Sequence, residues 1–192
     1  MPEILPSSFF DRDVLTLARQ LLGMRLVRLV DGRRVGGPIV ETEAYRGQED
    51  LACHARHGRT RRTAVMYGPG GRAYVYFTYG MHWMLNCVAS PEGFPAAVLL
   101  RAIQPTEGLE LIAQQRAGRS VQEWCNGPAK LTQALAIDGG FNGVDLSTRD
   151  GNLWIEWGEA ATEENLVVGP RVGIGGVPEP WLSIPWRFRT RL

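Results

Sequence analysis

The segment 40–45, VETEAY, alternates between small residues and charged or aromatic ones with a period of two. Successive side chains of a β-strand point to opposite faces, so the pattern predicts a strand with Glu41, Glu43 and Tyr45 on one face. Like charges two residues apart on one face are unfavourable unless a cation, a hydrogen-bond donor or water accommodates them. Two interpretations follow: an edge strand with a solvated acidic face, or a carboxylate that acts on a substrate held by arginines and aromatic rings.

The residues before and within this strand predict a helix followed by a hairpin. The predicted elements are a helix over residues 14–23, a strand over 24–30 and a strand over 33–45. Asp11 or Asp13 is expected to cap the helix, and Gly23 is expected to end it. Asp31-Gly32 favours a tight turn between the two strands.

The segment 73–90, AYVYFTYGMHWMLNCVAS, is the most aromatic part of the chain. It predicts two strands joined at about Tyr79-Gly80, because glycine permits the turn. Tyr74 and Tyr76 share one face of the first strand. Tyr79 is expected at the hairpin tip, where an aromatic ring has little core to enter.

Residues 96–105, AAVLLRAIQP, predict a strand that is too apolar for an exposed edge. Arg101 interrupts this apolar run, and a buried arginine needs a partner such as a carboxylate. The helices expected after it cover residues 107–118, capped by Thr106, and residues 126–137, with Pro128 near the first turn.

The remaining apolar segments, LWIEW, RVGIGG and WRFRTRL, are predicted as short strands and loops. We find no internal repeat or low-complexity linker, so one domain is expected over residues 1–192. The order of elements predicts an α+β fold with a mixed, largely antiparallel sheet, open and barrel-like, flanked by helices. A β-hairpin is expected to protrude from it.

Composition narrows the class of protein. A chain of 192 residues that is 44% hydrophobic can bury a full core. No apolar run approaches the roughly 20 residues that span a bilayer, and the N-terminus does not resemble a secretory signal. Cys53, Cys87 and Cys125 are an odd number without CxxC spacing, which favours reduced thiols in a cytoplasmic protein.

Charge is segregated along the chain although the net charge is only +1. Residues 51–91 contain five arginines and no acid, whereas residues 138–164 contain seven acids and one arginine. The planar fork of arginine suits phosphate oxygens, so this distribution indicates a polyanion-binding face, although a GC-rich genome would also favour arginine.

Few familiar cofactor motifs are present. The glycine-rich segment 68–72, GPGGR, lacks both common nucleotide-phosphate patterns. His54 and His57 lie near Cys53 and raise a zinc hypothesis, but the other cysteines lack ligand spacing. No serine or cysteine lies beside an evident base. The sequence therefore favours chemistry carried out by a carboxylate, with no cofactor or metal expected.

Several uncommon motifs, in order, resemble the alkyladenine (3-methyladenine) DNA glycosylases. They are VETEAY, a histidine eleven residues beyond its second glutamate, YVYFTYGM, an asparagine seven residues beyond Tyr79, VLLRAIQP, NGPAKL and RVGIG. The opening SFFDRDVLTLARQLLGMRLVR also resembles that family. The similarity extends from about Ser8 to Phe188 and is specific only in combination.

The resemblance implies excision of purines such as 3-methyladenine and hypoxanthine by a monofunctional enzyme that uses water as nucleophile. It places the catalytic base at Glu43, where a carboxylate would deprotonate water and stabilise an oxocarbenium-like sugar. Arg101 would help to position this water, and Val172 would add a backbone carbonyl. For Glu41 the resemblance leaves a supporting, structural role as the simpler interpretation.

The resemblance also implies that the damaged base is flipped out of the duplex. Tyr79 would fill the vacated gap, and Tyr45 and Tyr76 would stack on the flipped base. His54 would line the pocket, Asn86 would exclude the amino group of unmodified guanine, and Tyr74 would support the pocket from behind. Without the resemblance, His54 and the tyrosines could equally be packing residues.

The expected partner is double-stranded DNA that contains damaged purines. Phosphate contacts are expected from Arg59, Arg61, Arg62 and Lys130, although surface arginines are often only solvated. We expect a monomer in the bacterial cytoplasm, associated with the nucleoid and not with a membrane. Two rival functions remain open at this point: a catalytically silent nucleic-acid-binding module and a hydrolase of free nucleosides.

Overall fold

The computed structural model describes residues 2–89 and 91–190. The strands are β1 Arg25–Val30, β2 Arg33–Arg46, β3 Ala73–Thr78, β4 His82–Val88, β5 Ala96–Ile103, β6 Leu153–Glu156, β7 Leu166–Gly169 and β8 Arg187–Thr190. The α-helices are α1 Val14–Gln20, α2 Leu109–Gln115 and α3 Pro128–Ala134. Short 3₁₀ turns connect several of these elements.

The eight strands form one open sheet in the order β3-β4-β5-β2-β1-β6, with β8 beside β2 and β7 beside β8. Each pairing between these strands is antiparallel. The predicted α+β fold, with a largely antiparallel sheet and helices against it, is confirmed. The long strand β2 is central, because its first half pairs with β1 and its second half lies between β5 and β8.

Two turns of the predicted kind shape the sheet. Asp31 and Gly32 have φ angles of 49° and 76°, and this left-handed pair closes the β1–β2 hairpin as the sequence predicts. Tyr79 and Gly80 have φ angles of 53° and 68° and turn the chain between β3 and β4. The β3–β4 hairpin stands at the end of the sheet and carries an exposed tip.

The predicted helix caps are partly confirmed. Asp13 caps α1, since its carboxylate accepts hydrogen bonds from the N–H groups of Leu15 at 2.9 Å and Thr16 at 3.4 Å. The prediction that Thr106 caps α2 is wrong. The N-cap is Gly108 with a φ of 66°, a backbone conformation in which glycine is favoured, and no side chain caps the helix.

The core lies between the helices and the sheet. Helix α1 packs on β2 and β5, and α3 packs on β4 and β5. The first turn of α3 begins at Pro128, as predicted, and RVGIGG is a loop. The predicted elements at residues 73–90 and WRFRTRL extend to Ser90, Arg191 and Leu192, which lie outside the described residues.

Cys53, Cys87 and Cys125 are buried, and each is free. Burial raises the pKa of the thiols of Cys53 and Cys125 to about 12, so both are protonated at neutral pH. Among residues 2–89 and 91–190, no helix has the length and apolar character needed to cross a bilayer.

Candidate active site

Glu43 lies in the centre of the sheet with no exposed surface. In register it faces Leu99 of β5 on one side and Arg187 of β8 on the other. The interpretation of VETEAY as an edge strand with a solvated acidic face is therefore wrong. Alternation with a period of two describes the two faces of a strand, but it does not say which strands lie beside it.

Three groups hold the Glu43 carboxylate. Arg101 Nη1 lies 3.2 Å from Oε2, and the Tyr45 hydroxyl donates a hydrogen bond to the same oxygen at 2.9 Å. The backbone N–H of Val172 donates to Oε1 at 2.7 Å. These contacts fix the carboxylate in one orientation and offset part of the cost of burying its charge.

The pKa of Glu43 is raised above its ordinary value, because burial disfavours the charged carboxylate. Arg101, the Val172 N–H and the Tyr45 hydroxyl oppose this shift, and the nearby charge of Glu41 adds to it. A raised pKa gives a carboxylate more affinity for a proton, which is the property that a general base requires.

Glu41 shares Arg101 with Glu43. Arg101 Nε donates to Glu41 Oε1 at 2.9 Å, and Arg187 Nη1 lies 3.4 Å from the same oxygen. The carboxylate partner that the sequence predicts for Arg101 is thus confirmed, and there are two of them. Glu41 has a structural contact in this cluster, whereas its role in any reaction stays a prediction.

A cavity of about 650 Å³ lies next to this cluster, within the size range of small-molecule sites. Its walls are aromatic and polar, and Glu43 itself does not reach them. The candidate residues that line it are Tyr45, His54, Tyr74, Tyr76, Tyr79, Asn86, Arg101 and Val172. The structure therefore brings the predicted pocket residues together around one space, with the predicted base directly behind Tyr45, Arg101 and Val172.

His54 is part of the aromatic wall. Its Nδ1 lies 3.0 Å from the Tyr74 hydroxyl, and its ring meets Tyr76 edge-on with centroids 4.5 Å apart. Burial, with the charges of Arg62 and Arg56 adding to it, lowers the pKa of His54 to about 4. The imidazole is therefore neutral at physiological pH, with one nitrogen able to donate and one able to accept.

The zinc hypothesis at this position finds no cluster to support it. Within the two described ranges, no group of three or more His, Cys, Asp or Glu side chains is arranged to hold a metal ion. His54 Nε2 lies 3.4 Å from Arg62 Nη2, and a cation in that place repels a metal.

Asn86 belongs to the floor of the cavity. It is buried in β4 between Tyr74 and Leu99, and its Nδ2 donates to the Tyr74 carbonyl at 3.0 Å. This bond holds the amide in one orientation, so it presents a fixed polar surface to whatever enters.

Tyr79 lies at the tip of the β3–β4 hairpin, and its side chain is 76% exposed. Met81 on the same tip is 67% exposed. The sequence argument that this ring has no core to enter agrees with its exposure. Tyr79 also borders the cavity, so the tip and the pocket mouth are adjacent.

The predicted phosphate-contact residues lie in two places. Arg59, Arg61 and Arg62 are exposed on the loop beside the pocket, and the Arg62 guanidinium also lies 4.9 Å from the centre of the Tyr76 ring. Lys130 in α3 donates to Asn126 Oδ1 at 2.8 Å. The loop arginines form a cationic rim, and their contact with phosphate stays a prediction.

Sequence reasoning missed Asp50 and Arg171. Their side chains form a buried ion pair, with Arg171 Nη1 2.5 Å from Asp50 Oδ2 and Nη2 2.9 Å from Oδ1. The only available signal was a single arginine in the apolar, glycine-rich segment PRVGIG.

Val172 contacts Glu43 in a different way from the one predicted. Its backbone N–H binds the Glu43 carboxylate, whereas the predicted contact from its carbonyl to water stays a prediction.

Comparison with known proteins identifies the family. Residues 8–191 match the family model described as Methylpurine-DNA glycosylase (MPG). Relatives from Carboxydothermus hydrogenoformans, Methanocella arvoryzae and Anaeromyxobacter dehalogenans are 49%, 46% and 47% identical to this chain. The matches cover 96%, 96% and 97% of this chain and 94%, 91% and 83% of the respective relatives, each of which is named "Putative 3-methyladenine DNA glycosylase". The chain therefore belongs to the methylpurine-DNA glycosylase family, as its motifs indicate.

Proposed function

We propose that this protein removes alkylated and deaminated purines, such as 3-methyladenine and hypoxanthine, from double-stranded DNA by hydrolysing the N-glycosidic bond. The observation that carries the proposal is the buried Glu43, held by Arg101, Tyr45 and the Val172 N–H directly behind an aromatic cavity. A hydrolase that needs a base and a purine pocket requires both parts in this arrangement.

Substrate binding begins with a flipped nucleotide. A base inside the duplex is not accessible, so it must leave the stack at a cost of a few kcal/mol. Tyr79 at the hairpin tip fills the vacated gap, and the base enters the cavity that Tyr45 and Tyr76 line. An electron-poor alkylated purine stacks favourably on electron-rich tyrosine rings.

Selectivity follows from the polar groups of the cavity. Asn86, with its amide fixed by the Tyr74 carbonyl, excludes the amino group of guanine in this proposal, and His54 offers a neutral imidazole to the base. A lesion that fits gains stacking and hydrogen bonds, whereas an unmodified guanine leaves a buried polar group unpaired.

Tyr45 lines the cavity, and its hydroxyl donates a hydrogen bond to Glu43 Oε2. When a purine stacks on the Tyr45 ring, a water molecule enters beside this hydroxyl and donates a hydrogen bond to Glu43 Oε2. Arg101 then keeps the carboxylate ionised until the proton is transferred. Burial holds the pKa of Tyr45 well above its usual value, so the hydroxyl remains a donor.

Hydrolysis forms one bond and breaks another. The water oxygen bonds to C1′ of the sugar as Glu43 accepts the water proton, and the bond from C1′ to the purine nitrogen breaks with its electron pair remaining on the purine. A 3-methylated adenine carries a positive charge before cleavage and leaves as a neutral base, while hypoxanthine takes up a proton from solvent. The negative charge of Glu43 also stabilises the oxocarbenium character of the sugar. No lyase step follows, and the enzyme acts as a monomer.

The test is single-turnover release of hypoxanthine from a duplex with one lesion, and of methylated purines from alkylated DNA. Release by the wild type that is lost in Glu43→Gln, with DNA binding retained, supports the proposal. Binding without release from either substrate would favour the silent binding module. Release from free nucleosides that does not depend on Tyr79 would favour the nucleoside hydrolase.

A further inference from the structure

A buried ion pair that the proposed chemistry does not use lies behind the cavity. The side chains of Asp50 and Arg171 have no exposed surface, and two Arg171 nitrogens contact the two Asp50 oxygens at 2.5 and 2.9 Å. A bidentate pair of this kind has one geometry, so it fixes both residues relative to each other.

The pair joins three segments of the site. Arg171 Nη1 also donates to the Ala44 carbonyl at 3.0 Å, between Glu43 and Tyr45 in β2. Asp50 accepts from the backbone N–H of Ala52 at 3.0 Å, in the loop that leads to His54. The strand, the His54 loop and the loop after β7 are thus tied together at one point.

The pair also contacts the groups that hold Glu43. Arg171 is followed by Val172, whose N–H donates to Glu43 Oε1. The Arg171 guanidinium lies 4.7 Å from the centre of the Tyr45 ring and 5.1 Å from that of Trp186. Arg171 therefore places two groups that bind Glu43. One is the Val172 N–H, which donates to Oε1, and the other is the Tyr45 ring, whose hydroxyl donates to Oε2.

We propose that Asp50 and Arg171 are positioning residues for the general base, a role that rests on the function proposed above. They hold the Val172 N–H and the Tyr45 ring so that Glu43 stays ionised and correctly oriented. Stability alone is a weak explanation for the pair, because a buried ion pair often contributes no more than well-packed apolar residues of the same volume. Its contacts reach the Ala44 carbonyl and the Tyr45 ring beside Glu43, besides the Arg46 N–H and the Trp181 carbonyl.

The test compares Asp50→Asn and the conservative Arg171→Lys with a control in β6, the strand at the other end of the sheet from the β3–β4 hairpin. Glu156 is also fully buried and ion-paired, to Arg34 at 2.5 Å, and lies outside the proposed site. Glu156→Gln is therefore a matched loss of a buried ion pair. Each variant is measured for folding by urea titration, for duplex binding and for single-turnover release of hypoxanthine between pH 4 and 8.

We expect Asp50→Asn and Arg171→Lys to slow release on the order of 10- to 100-fold with binding nearly unchanged, because misplacing a reacting group by about 1 Å has effects of this size. The acid limb of the rate profile should move to higher pH, because the ionised Glu43 loses the Val172 N–H. The other titratable or charged groups near Glu43 are Arg101, Glu41, Tyr45 and Tyr76, with Arg187 opposite it in β8, and all of them are unchanged in these variants. Glu156→Gln should lose stability but keep both the rate and the limb.

The proposal is overturned if folded Asp50→Asn releases the base at the wild-type rate with an unmoved acid limb, or if Glu156→Gln shows the same slowing. Should the single variants fail to fold, Asp50→Leu combined with Arg171→Met replaces the pair by apolar side chains. A folded and slow double variant supports positioning, and a double variant that does not fold shows a structural role instead. If the wild type releases no base, or if Glu43→Gln releases it at the wild-type rate, the proposed function itself is contradicted. If those two results are as expected and only the Asp50 and Arg171 variants behave like the wild type, this inference alone fails.

Discussion

Two fully buried glutamates lie in the same sheet, and the three groups that hold one of them, Glu43, belong to residues that line the aromatic cavity. Glu43 in β2 is held by one arginine, a tyrosine hydroxyl and a backbone amide. Glu156 in β6 is held by two arginines, Arg34 at 2.5 Å and Arg25 at 3.5 Å, and by the indole N–H of Trp154 at 3.1 Å. Both are satisfied, as buried carboxylates must be.

The difference between the two lies in how the charge is balanced. Glu156 contacts two arginines, Arg25 and Arg34, and shares both with Glu107, whereas Glu43 contacts one arginine, Arg101, and shares it with Glu41. Burial raises the pKa of Glu43, and the adjoining cavity provides room for a substrate. Burial alone therefore does not distinguish the two carboxylates, whereas the cavity beside Glu43 does.

The largest expected effect is the loss of release in Glu43→Gln. General-base catalysis contributes about 10²- to 10⁴-fold to a rate, so we expect single-turnover release of hypoxanthine to fall by about 10³-fold while duplex binding persists. Glu156→Gln removes a carboxylate of equal burial and should leave the rate unchanged. If both variants lose the same factor in release rate, the two glutamates do not differ in function, and the loss reflects a general effect of removing a buried charge.

The next effect concerns the tip of the β3–β4 hairpin, which borders the cavity beside Glu43. Tyr79→Ala should reduce release from duplex DNA by roughly 30-fold, because about 2 kcal/mol of support for the flipped state is lost. Release from a single-stranded substrate should change little, because no gap has to be filled there. Tyr79→Phe retains the ring and should remain near the wild type.

Trp157 supplies the matched control for this prediction. It is a partly exposed aromatic residue on the Glu156 side of the sheet, where it packs edge-on against Phe9. Trp157→Ala should not change the ratio of duplex to single-strand release. If both alanine variants lower that ratio equally, the hairpin tip has no special role in base flipping.

The pH dependence of release provides a further test of the base. Glu43 must be ionised to accept a proton, so the rate of hypoxanthine release should fall about tenfold per pH unit below its pKa. Because burial raises that pKa, the acid limb should lie above pH 4.3, the ordinary value for glutamate. Single-turnover rates measured under saturating enzyme separate this limb from changes in binding. A limb at or below pH 4.3 would contradict the raised pKa.

The sequence predicted local features better than long-range ones. The turn at Asp31-Gly32 and the cap at Asp13 depend on residues a few positions apart, and both are confirmed. The cap at Thr106 was wrong, because the left-handed glycine at position 108 starts α2 without a side-chain partner. In that case backbone conformation outweighs side-chain preference.

The site was predicted where a motif carries its residues and missed where tertiary contacts assemble it. The period-two pattern correctly grouped Glu43 with Tyr45 but left its burial open, because the neighbours of β2 come from β5 and β8. Asp50 and Arg171 are 121 positions apart, so no local pattern relates them. Their partnership depends on the fold, and the structure shows that Arg171 contacts the Ala44 carbonyl and the Tyr45 ring, which flank Glu43.

The smallest expected effect tests whether the cavity wall excludes water from the His54 ring. Burial lowers the pKa of His54 to about 4, whereas an unfolded histidine titrates near 6.5. Between these two values the unfolded chain binds more protons than the folded one, so the stability that neutral His54 contributes is present above about pH 6.5 and is lost as the pH falls toward 4. After a discount for partial solvent exposure, we expect a loss of about 1–2 kcal/mol relative to His54→Gln. Urea titration of both proteins across this range measures it, and exposed His57, changed to Gln, is the control. Parallel stability curves for the wild type and His54→Gln would mean that His54 is as well solvated as in the unfolded chain. The burial of His54 in the aromatic wall of the cavity would then not lower its pKa.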